Sequence, residues 1–357
     1  MRLSKEKPEI VFVYAGWTLG MNRKPWTNLL APPKNGTDFK KVAGPTIRDF
    51  QTRFWAKVDF HLFDTMDSTN RDPLSIRKLF ECLDSLQNRA HAIVVGHGTD
   101  TAATVASSIG LWMANPFYPW TTKQTCPIVV TAAQKPLIYK EGDAVSNLFH
   151  ALETAYLLSS RSISRTVIAF HDKILAATRA MKTHDDHFDA FDSPWVPRLW
   201  DITAHGVNIY DHVWPINYRR HKLPFDIWGG ISNIIISPSM RTGQLYAQAL
   251  PDEHDSSIIT TLWAGNVPTR LLPDIEKLTS RGHRCILATP FAWWKVSQVY
   301  ESGSDAISAG GISARDMLPT TAEMKALLLR WYWVVDREKF IRLFQTPWLD
   351  DVRAINS

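Results

Sequence analysis

Between residues 9 and 159, short apolar runs of β type alternate with longer stretches of helical spacing, and this alternation restricts the possible folds more than any other feature. Apolar runs near residues 9–14, 58–63, 91–96 and 127–131 are too short for helices and are rich in residues that suit a pleated, buried surface. Between them, Ile47–Trp55, Ile76–Leu86 and Thr101–Met113 space apolar residues three and four apart, and Asp143–Ser159 does so again. The expectation is an α/β fold: a mostly parallel sheet with helices on both faces, forming a large N-terminal domain. In such sheets ligands bind beyond the carboxyl ends of the strands, so function is expected in the turns after strands 9–14 and 91–96.

A second, smaller alternation follows. Ile258–Trp263, Leu272–Ser280, Cys285–Thr289 and Ala322–Tyr332 read as strand, helix, strand, helix, and residues 192–230, rich in Pro, Trp and basic residues, lack a period. The expected division is a domain over 1–200, a linker over 201–230 and a smaller α/β domain over 231–357. The segment Gly20–Gly44 is long, polar and proline-containing, as a mobile lid would be. A chain of 357 residues, 45% hydrophobic and 21% charged, has the material for two cored domains and is neither disordered nor fibrous.

No apolar run reaches the roughly 20 residues that a membrane crossing needs, and the charged start, Met1 to Glu9, lacks a signal core, so a cytoplasmic protein is expected. Cys82, Cys126 and Cys285 are scattered and form no C-x-x-C pair, which argues against a disulfide framework and a structural zinc site. The net charge of +5 is dispersed rather than gathered into a stripe, so nucleic acid is not an expected partner.

Two glycine-punctuated turns stand at those places, after strands 9–14 and 91–96. The first run, Ile10-Val11-Phe12-Val13-Tyr14, ends in Ala15-Gly16-Trp17-Thr18-Leu19-Gly20-Met21; another, Val94-Val95, ends in Gly96-His97-Gly98-Thr99-Asp100-Thr101. Taken alone, Thr99 and Asp100 read first as caps of the helix that begins near Thr101. Ser68 could be a plain turn residue before the helix start at Pro73.

These turns resemble those of asparaginases, whose opening strand is usually written Y-T-G-G-T-I-G-M and whose second signature is H-G-T-D-T. The resemblance is colinear over nearly the whole chain and closest to the cytoplasmic two-domain type. Met66-Asp67-Ser68-Thr69-Asn70 resembles the D-S-S-D element, and Thr131-Ala132-Ala133-Gln134-Lys135-Pro136-Leu137 resembles T-G-A-Q-R-P-L; Asp143 and Asn147-Leu148 continue that register. Arg179-Ala180-Met181-Lys182-Thr183-His184 with Phe188-Asp189-Ala190-Phe191 tracks the lysine block. Ala264-Gly265-Asn266-Val267-Pro268 looks like the G-x-G-N-x-P turn, and Ser302 to Met317 keeps Gly303, Gly310 and Asp316-Met317. Cleaving an amide needs a strong nucleophile, a base to generate it and donors for the oxyanion. The resemblance implies catalysis by Thr99, Asp100 and Lys182, as a hydroxyl, an orienting carboxylate and an amine held deprotonated by burial, and substrate binding by Ser68, Thr69, Gly16, Ala133 and Asn266. It also implies a small amide or amino-acid ligand, no cofactor, and a homo-dimer or homo-tetramer in which Asn266 serves a neighbouring subunit's site.

The departures concentrate in one place. Ala15 stands where the family has its nucleophilic threonine, Trp17 replaces a glycine beside the substrate, and the family's lid tyrosine has no counterpart, although Trp26 lies in that loop. The acidic residue of that assisting group is also unplaced, the local block reading Trp293-Trp294-Lys295-Val296. Losing a nucleophile costs roughly 10⁶ in rate, about 8 kcal/mol. Thr99 could take over the attack or activate water, Thr18 being a weaker substitute. An engineered change at position 15 would leave Trp17 unexplained, which favours a natural departure. The expected function is a weakened or altered amidohydrolase, with an inactive ligand sensor or scaffold as the alternative and a tRNA-directed amidotransferase-like subunit ranking last. His184-Asp185-Asp186-His187 offers metal-ligating groups, but consecutive residues on one loop rarely converge on one ion, so no metal site is expected.

Overall fold

Strand β1 (Glu9–Ala15) is buried from Ile10 to Ala15, because a parallel strand covered on both faces has no side free for polar residues. The computed structural model describes residues 7–16, 18–23, 30–31, 33, 35–114, 126–194, 196, 198–209, 230–291, 295–296, 301–332 and 334–353. After β1 come a short ladder of β2 (Asn22–Arg23) and β3 (Leu30–Ala31), then α1 (Gly36–Phe54), β4 (Lys57–Asp64), α2 (Pro73–Gln87), β5 (Ala92–Gly96) and α3 (Ala102–Ala114). The chain continues through β6 (Ile128–Thr131), α4 (Ala144–Ser160), β7 (Thr166–Phe170), β8 (Lys173–Ala176), β9 (Met181–Lys182), β10 (Phe191–Asp192), β11 (Trp200–Thr203) and β12 (Gly206–Asn208).

Eight of these strands form one sheet, ordered β12-β11-β8-β7-β6-β5-β1-β4. The stretch from β4 to β7 is parallel, and β7, β8, β11 and β12 pair antiparallel. The mostly parallel sheet matches the expected fold class. On one face α1 and α4 cover Phe12, Tyr14, Val94 and Val129. Elsewhere α2 lies against β5, and Phe80 of α2 stacks on Trp112 of α3 with ring centroids 4.7 Å apart.

Two sequence expectations need correction. Residues 36–44 belong to α1 and not to a loop: Asn35 caps the helix by accepting from Asp38 N at 3.0 Å, and Phe39, Ala43, Thr46 and Phe50 line its buried face. Phe39 stacks between Phe12 and Phe60, at 5.3 and 5.0 Å, and this packing outweighs the helix-breaking tendency of Gly36, Gly44 and Pro45. Residues 24–29, 32 and 34 lie outside the described residues. The linker expected over 201–230 likewise starts too early, since β11 and β12 extend the large sheet to Asn208 and Trp200 is fully buried in it. Residues 210–229 lie outside the described residues.

The described residues of the first compact unit fall within Met1–Met113 and Thr121–Pro215, and those of the second within Ala114–Trp120 and Ile216–Ser357. The second unit contains β13 (Ser232–Ile235), α5 (Gln244–Gln248), β14 (Ser256–Thr260), α6 (Leu272–Ser280), β15 (Arg284–Ala288), α7 (Glu301–Ser308), β16 (Ile312–Ser313), α8 (Pro319–Trp331) and α9 (Arg337–Gln345). Its four strands run β13-β14-β15-β16, all parallel. Leu245, Ile275, Leu278 and Ala306 pack from α5, α6 and α7 on Ile234, Ile259 and Leu287, and α8 lies against β14 and β15.

The chain end is fastened to this unit by a fully buried ion pair between Lys325 of α8 and Asp351. Asp351 Oδ1 also accepts from Trp348 N at 2.8 Å and Leu349 N at 2.9 Å, so the pair is hydrogen-bonded as a buried charge must be. Asp351→Ala leaves the ammonium without its counter-charge and is expected to cost about 3–5 kcal/mol. Urea unfolding at pH 7 measures it, and an unchanged midpoint would contradict the assignment.

Candidate active site

In the order β4-β1-β5-β6-β7, the chain steps from β1 to one side to form β4 and then to the other side to form β5, so the direction of winding reverses between β1 and β5. Crossovers leave in opposite directions there, which opens a crevice beyond the two carboxyl ends. Ala15 and Gly16 end β1, and His97 to Asp100 follow β5. Both turns singled out in the sequence meet at this switch point.

Lys182 enters from the β9–β10 ladder, where it pairs with Phe191, and Thr183 N donates to Ala190 O at 2.8 Å. The ladder is itself held down: Lys173 Nζ binds both carboxylate oxygens of Asp189, at 2.7 and 2.9 Å, and Phe191 packs on Phe170. The Lys182 amine therefore arrives in a fixed place. It donates to Asp100 Oδ1 at 2.9 Å and to Thr99 Oγ1 at 3.2 Å. The neighbouring hydroxyl and carboxylate and an amine far from both in sequence thus share one hydrogen-bonded cluster. Thr99 and Asp100 direct their side chains to Lys182, while Thr101 Oγ1 donates to Ser68 O at 2.9 Å. Burial, the expected source of a neutral amine, is incomplete: the Lys182 side chain keeps 21% exposure and is ion-paired with Asp100, which is 52% exposed.

On the other side of the crevice, the β1–β4 register slips between Tyr14, opposite Leu62, and Ala15, opposite Asp64. A bulge of this kind takes the Ala15 carbonyl out of the regular ladder. Arg71 Nη2 donates to it at 2.5 Å, and the same guanidinium binds Asp64 through two bonds of 2.6 and 2.7 Å. Gly16 follows at φ +99°, and a Cβ there would collide with the Met66 carbonyl oxygen, so both conformation and space demand glycine. Sequence reasoning missed Arg71 and Asp64. Their only signal is an acidic residue closing an otherwise apolar strand and a basic one shortly after it.

Ser68 is fully buried, and its Oγ has no hydrogen-bond partner among the described residues. Its carbonyl accepts from Arg71 N at 3.3 Å as well as from Thr101. Thr69 is exposed, its N–H donating to Asp67 Oδ1 at 3.0 Å. Ala133 is buried in the turn after β6, which Asp143 fixes by accepting from Gln134 N and Lys135 N, each at 2.9 Å. Asn266 belongs to the second unit, bridging Leu262 beyond β14. Ala15 is fully buried. Trp17, Trp26, Trp293 and Trp294 lie outside the described residues.

The His184 and His187 rings stack with centroids 4.9 Å apart. Among the described residues, potential metal donors gather instead at His171, Asp172 and Asp189, within 4.8 Å of one another. Lys173 already pairs with Asp189 at 2.7 Å and Arg198 with Asp172 at 3.6 Å, so these carboxylates have their counter-charges.

Residues 9–215 match the family described as Asparaginase, N-terminal. The chain belongs to the asparaginase family. L-asparaginase 1 of Escherichia coli is 24% identical over 342 residues, 93% of each protein, and L-asparaginase of Thermococcus kodakarensis is 27% identical over 283 residues, 77% of this chain and 80% of that one. A Glutamyl-tRNA(Gln) amidotransferase subunit of Thermoplasma acidophilum is 27% identical over 289 residues, 79% of this chain but only 66% of that protein's length. The solved T. kodakarensis L-asparaginase shares the fold with a TM-score of 0.81 at 21% identity, covering 97% of this chain and 99% of that one. L-asparaginase I from Vibrio cholerae gives 0.78 at 21% identity, over 98% and 100% of the two chains.

In this asparaginase-family site His97 is a buried neutral group. Nδ1–H donates to Gly98 O at 3.0 Å, and burial pushes the imidazole down to about 4. The unfolded group titrates near 6.5, so between pH 6.5 and 4 the unfolded chain binds a proton that the folded one refuses. The stability conferred by the neutral ring is present in full above about pH 6.5, is lost as pH falls toward 4 and changes no further below it, amounting to about 3 kcal/mol. His283 of the second unit, likewise pushed down to about 4 by burial, adds a parallel loss. Replacing His97 by Gln is expected to flatten the decline between pH 6.5 and 4 without abolishing it, as read by urea unfolding across that range. An undiminished slope would exclude His97 as a source.

Proposed function

We propose that this protein is an asparaginase-like amidohydrolase that cleaves a side-chain or related amide and releases ammonia, with weak or altered activity because residue 15 is alanine. Thr99, Asp100 and Lys182 carry the chemistry, Ser68 and Thr69 hold the substrate, Gly16 and Ala133 shape its surroundings, and Asn266 is offered to a neighbouring subunit's site. The observation that carries the reading is the Lys182 amine within hydrogen-bond reach of both Thr99 and Asp100. The unpartnered, buried hydroxyl of Ser68 supports a ligand-binding role for that residue.

In this mechanism the Lys182 ammonium first gives up a proton from its ion pair with Asp100 to solvent, and Thr99 Oγ1 then forms a bond to the amide carbon as its proton passes to the freed amine. Asp100 stabilises the ammonium that results. The C–N bond then breaks, the leaving amine takes the proton from Lys182, and water hydrolyses the threonyl ester by the same relay in reverse. With a single hydroxyl doing the work of two threonines, free asparagine is a poor substrate. The protein acts in the cytoplasm as a homo-dimer or homo-tetramer on a small amide or amino acid, without a cofactor.

The full burial of the Ala15 side chain where the nucleophile is expected favours a second reading, an inactive protein that binds an amide or amino acid as a sensor or serves as a scaffold. Ammonia release from a panel of amides separates the two. Thr99→Ala and Lys182→Met are each expected to lower kcat/KM by about 100-fold or more. Activity that survives both changes, or its absence from the unaltered protein, overturns the enzymatic reading. Copurifying tRNA would point instead to a role like that named for the tRNA-dependent relative.

A further inference from the structure

We infer that the Arg71–Asp64 pair is the positioning device of the substrate side, setting Ser68 relative to the end of β1 and to the Thr99–Asp100 turn. The inference rests on the amide-site reading above and assigns two residues that it does not use. Three segments must agree in space for a ligand to touch Ser68 and Thr99 together: the end of β1, the 64–71 loop and the turn after β5. Arg71 is bonded to the first two. Its Nη2 holds the Ala15 carbonyl, both its terminal nitrogens hold Asp64 at the loop's start, and its backbone N–H holds the Ser68 carbonyl. The third segment joins through the same carbonyl, which also accepts from Thr101 Oγ1.

The geometry distinguishes a clamp from a surface ion pair. The Arg71 side chain is 1% exposed, so its bonds are little weakened by water, and bidentate guanidinium–carboxylate pairing fixes direction as well as distance. Asp64 Oδ1 accepts additionally from Met66 N at 3.2 Å, which ties the loop's first turn to the pair. The guanidinium charge is answered by Asp64, so the clamp shapes the pocket without lending it a free cation. Ser68 itself commits its carbonyl to this framework and keeps its hydroxyl free of partners among the described residues.

The bonds of Arg71 and Asp64 run to the end of β1 and to the 64–71 loop, not to Thr99 or Lys182, so their loss is expected to act on binding rather than on turnover. With the amide turned over best in the panel, Arg71→Met, Asp64→Asn and Ser68→Ala should each raise KM about tenfold, with kcat within about threefold of the original. Arg71→Lys, which keeps the charge but not the fork, should recover part of the loss. In the double variant Arg71→Met/Ser68→Ala the two effects should not multiply, because the clamp acts through Ser68. Multiplicative effects, or a fall in kcat with KM unchanged, would overturn the inference. If Arg71→Met does not fold, Asp64→Asn and Arg71→Lys decide on the same criteria. If the unaltered protein hydrolyses no amide, the functional reading fails separately, and hydrogen exchange decides the clamp. Faster exchange at residues 66–71 in Asp64→Asn with β6 still protected supports it, and unchanged exchange overturns it.

Discussion

Complete burial of the central parallel strands governs where this protein can place chemistry. Strands β1, β5 and β6 are covered on both faces, so a polar side chain on any of them would need a partner in the core. Polar groups can collect without that cost only where the ladder stops. The strand order brings two such ends together with their crossovers diverging, and Ala15-Gly16 and His97 to Asp100 occupy those ends. The bulge at Ala15 and the left-handed Gly16 are consequences of ending a strand abruptly against a neighbouring loop. His97 shows the same constraint from the other side: nearer the ladder than Thr99, it is sealed in and held neutral.

The elements legible in the sequence are those whose burial pattern is local. β1, β5 and β6 are uninterrupted apolar runs, and α2 announces itself by Asp72, Pro73 and Ser75, which form its cap. α1 is harder to read, because Gly36, Gly44 and Pro45 signal a loop while the countervailing interaction, Phe39 between two aromatic rings, comes from strands elsewhere. β11 and β12 hide in a stretch rich in Trp and Pro, since an antiparallel edge needs only a few residues and one anchor, here Trp200. In the site, Thr99 and Asp100 stand out by their turn, but Lys182 is marked only by family resemblance. The Arg71 clamp leaves almost no trace, because one of its partners is a backbone carbonyl that every residue type possesses.

The two sides of the crevice are supported by different scaffolds. Lys182 depends on the β9–β10 ladder and on Lys173 gripping Asp189, while the end of β1 depends on Arg71 and Asp64. Neither support passes through the side chain at position 15. A change of side chain there therefore leaves both supports, and with them the Thr99–Asp100–Lys182 cluster, in place.

Energetics favour such a change. Position 15 is fully enclosed, and a threonine hydroxyl in that place would need a hydrogen-bond partner or would cost about 1–3 kcal/mol. An alanine methyl is accommodated by the apolar end of β1 at no polar cost. Lys182 and Asp100, by contrast, form an ion pair at 2.9 Å in which Asp100 is half exposed, so water moderates the cost of losing either partner. The two positions thus answer to different constraints: residue 15 to the apolar enclosure of a strand end, the Lys182–Asp100 pair to a rim that solvent reaches.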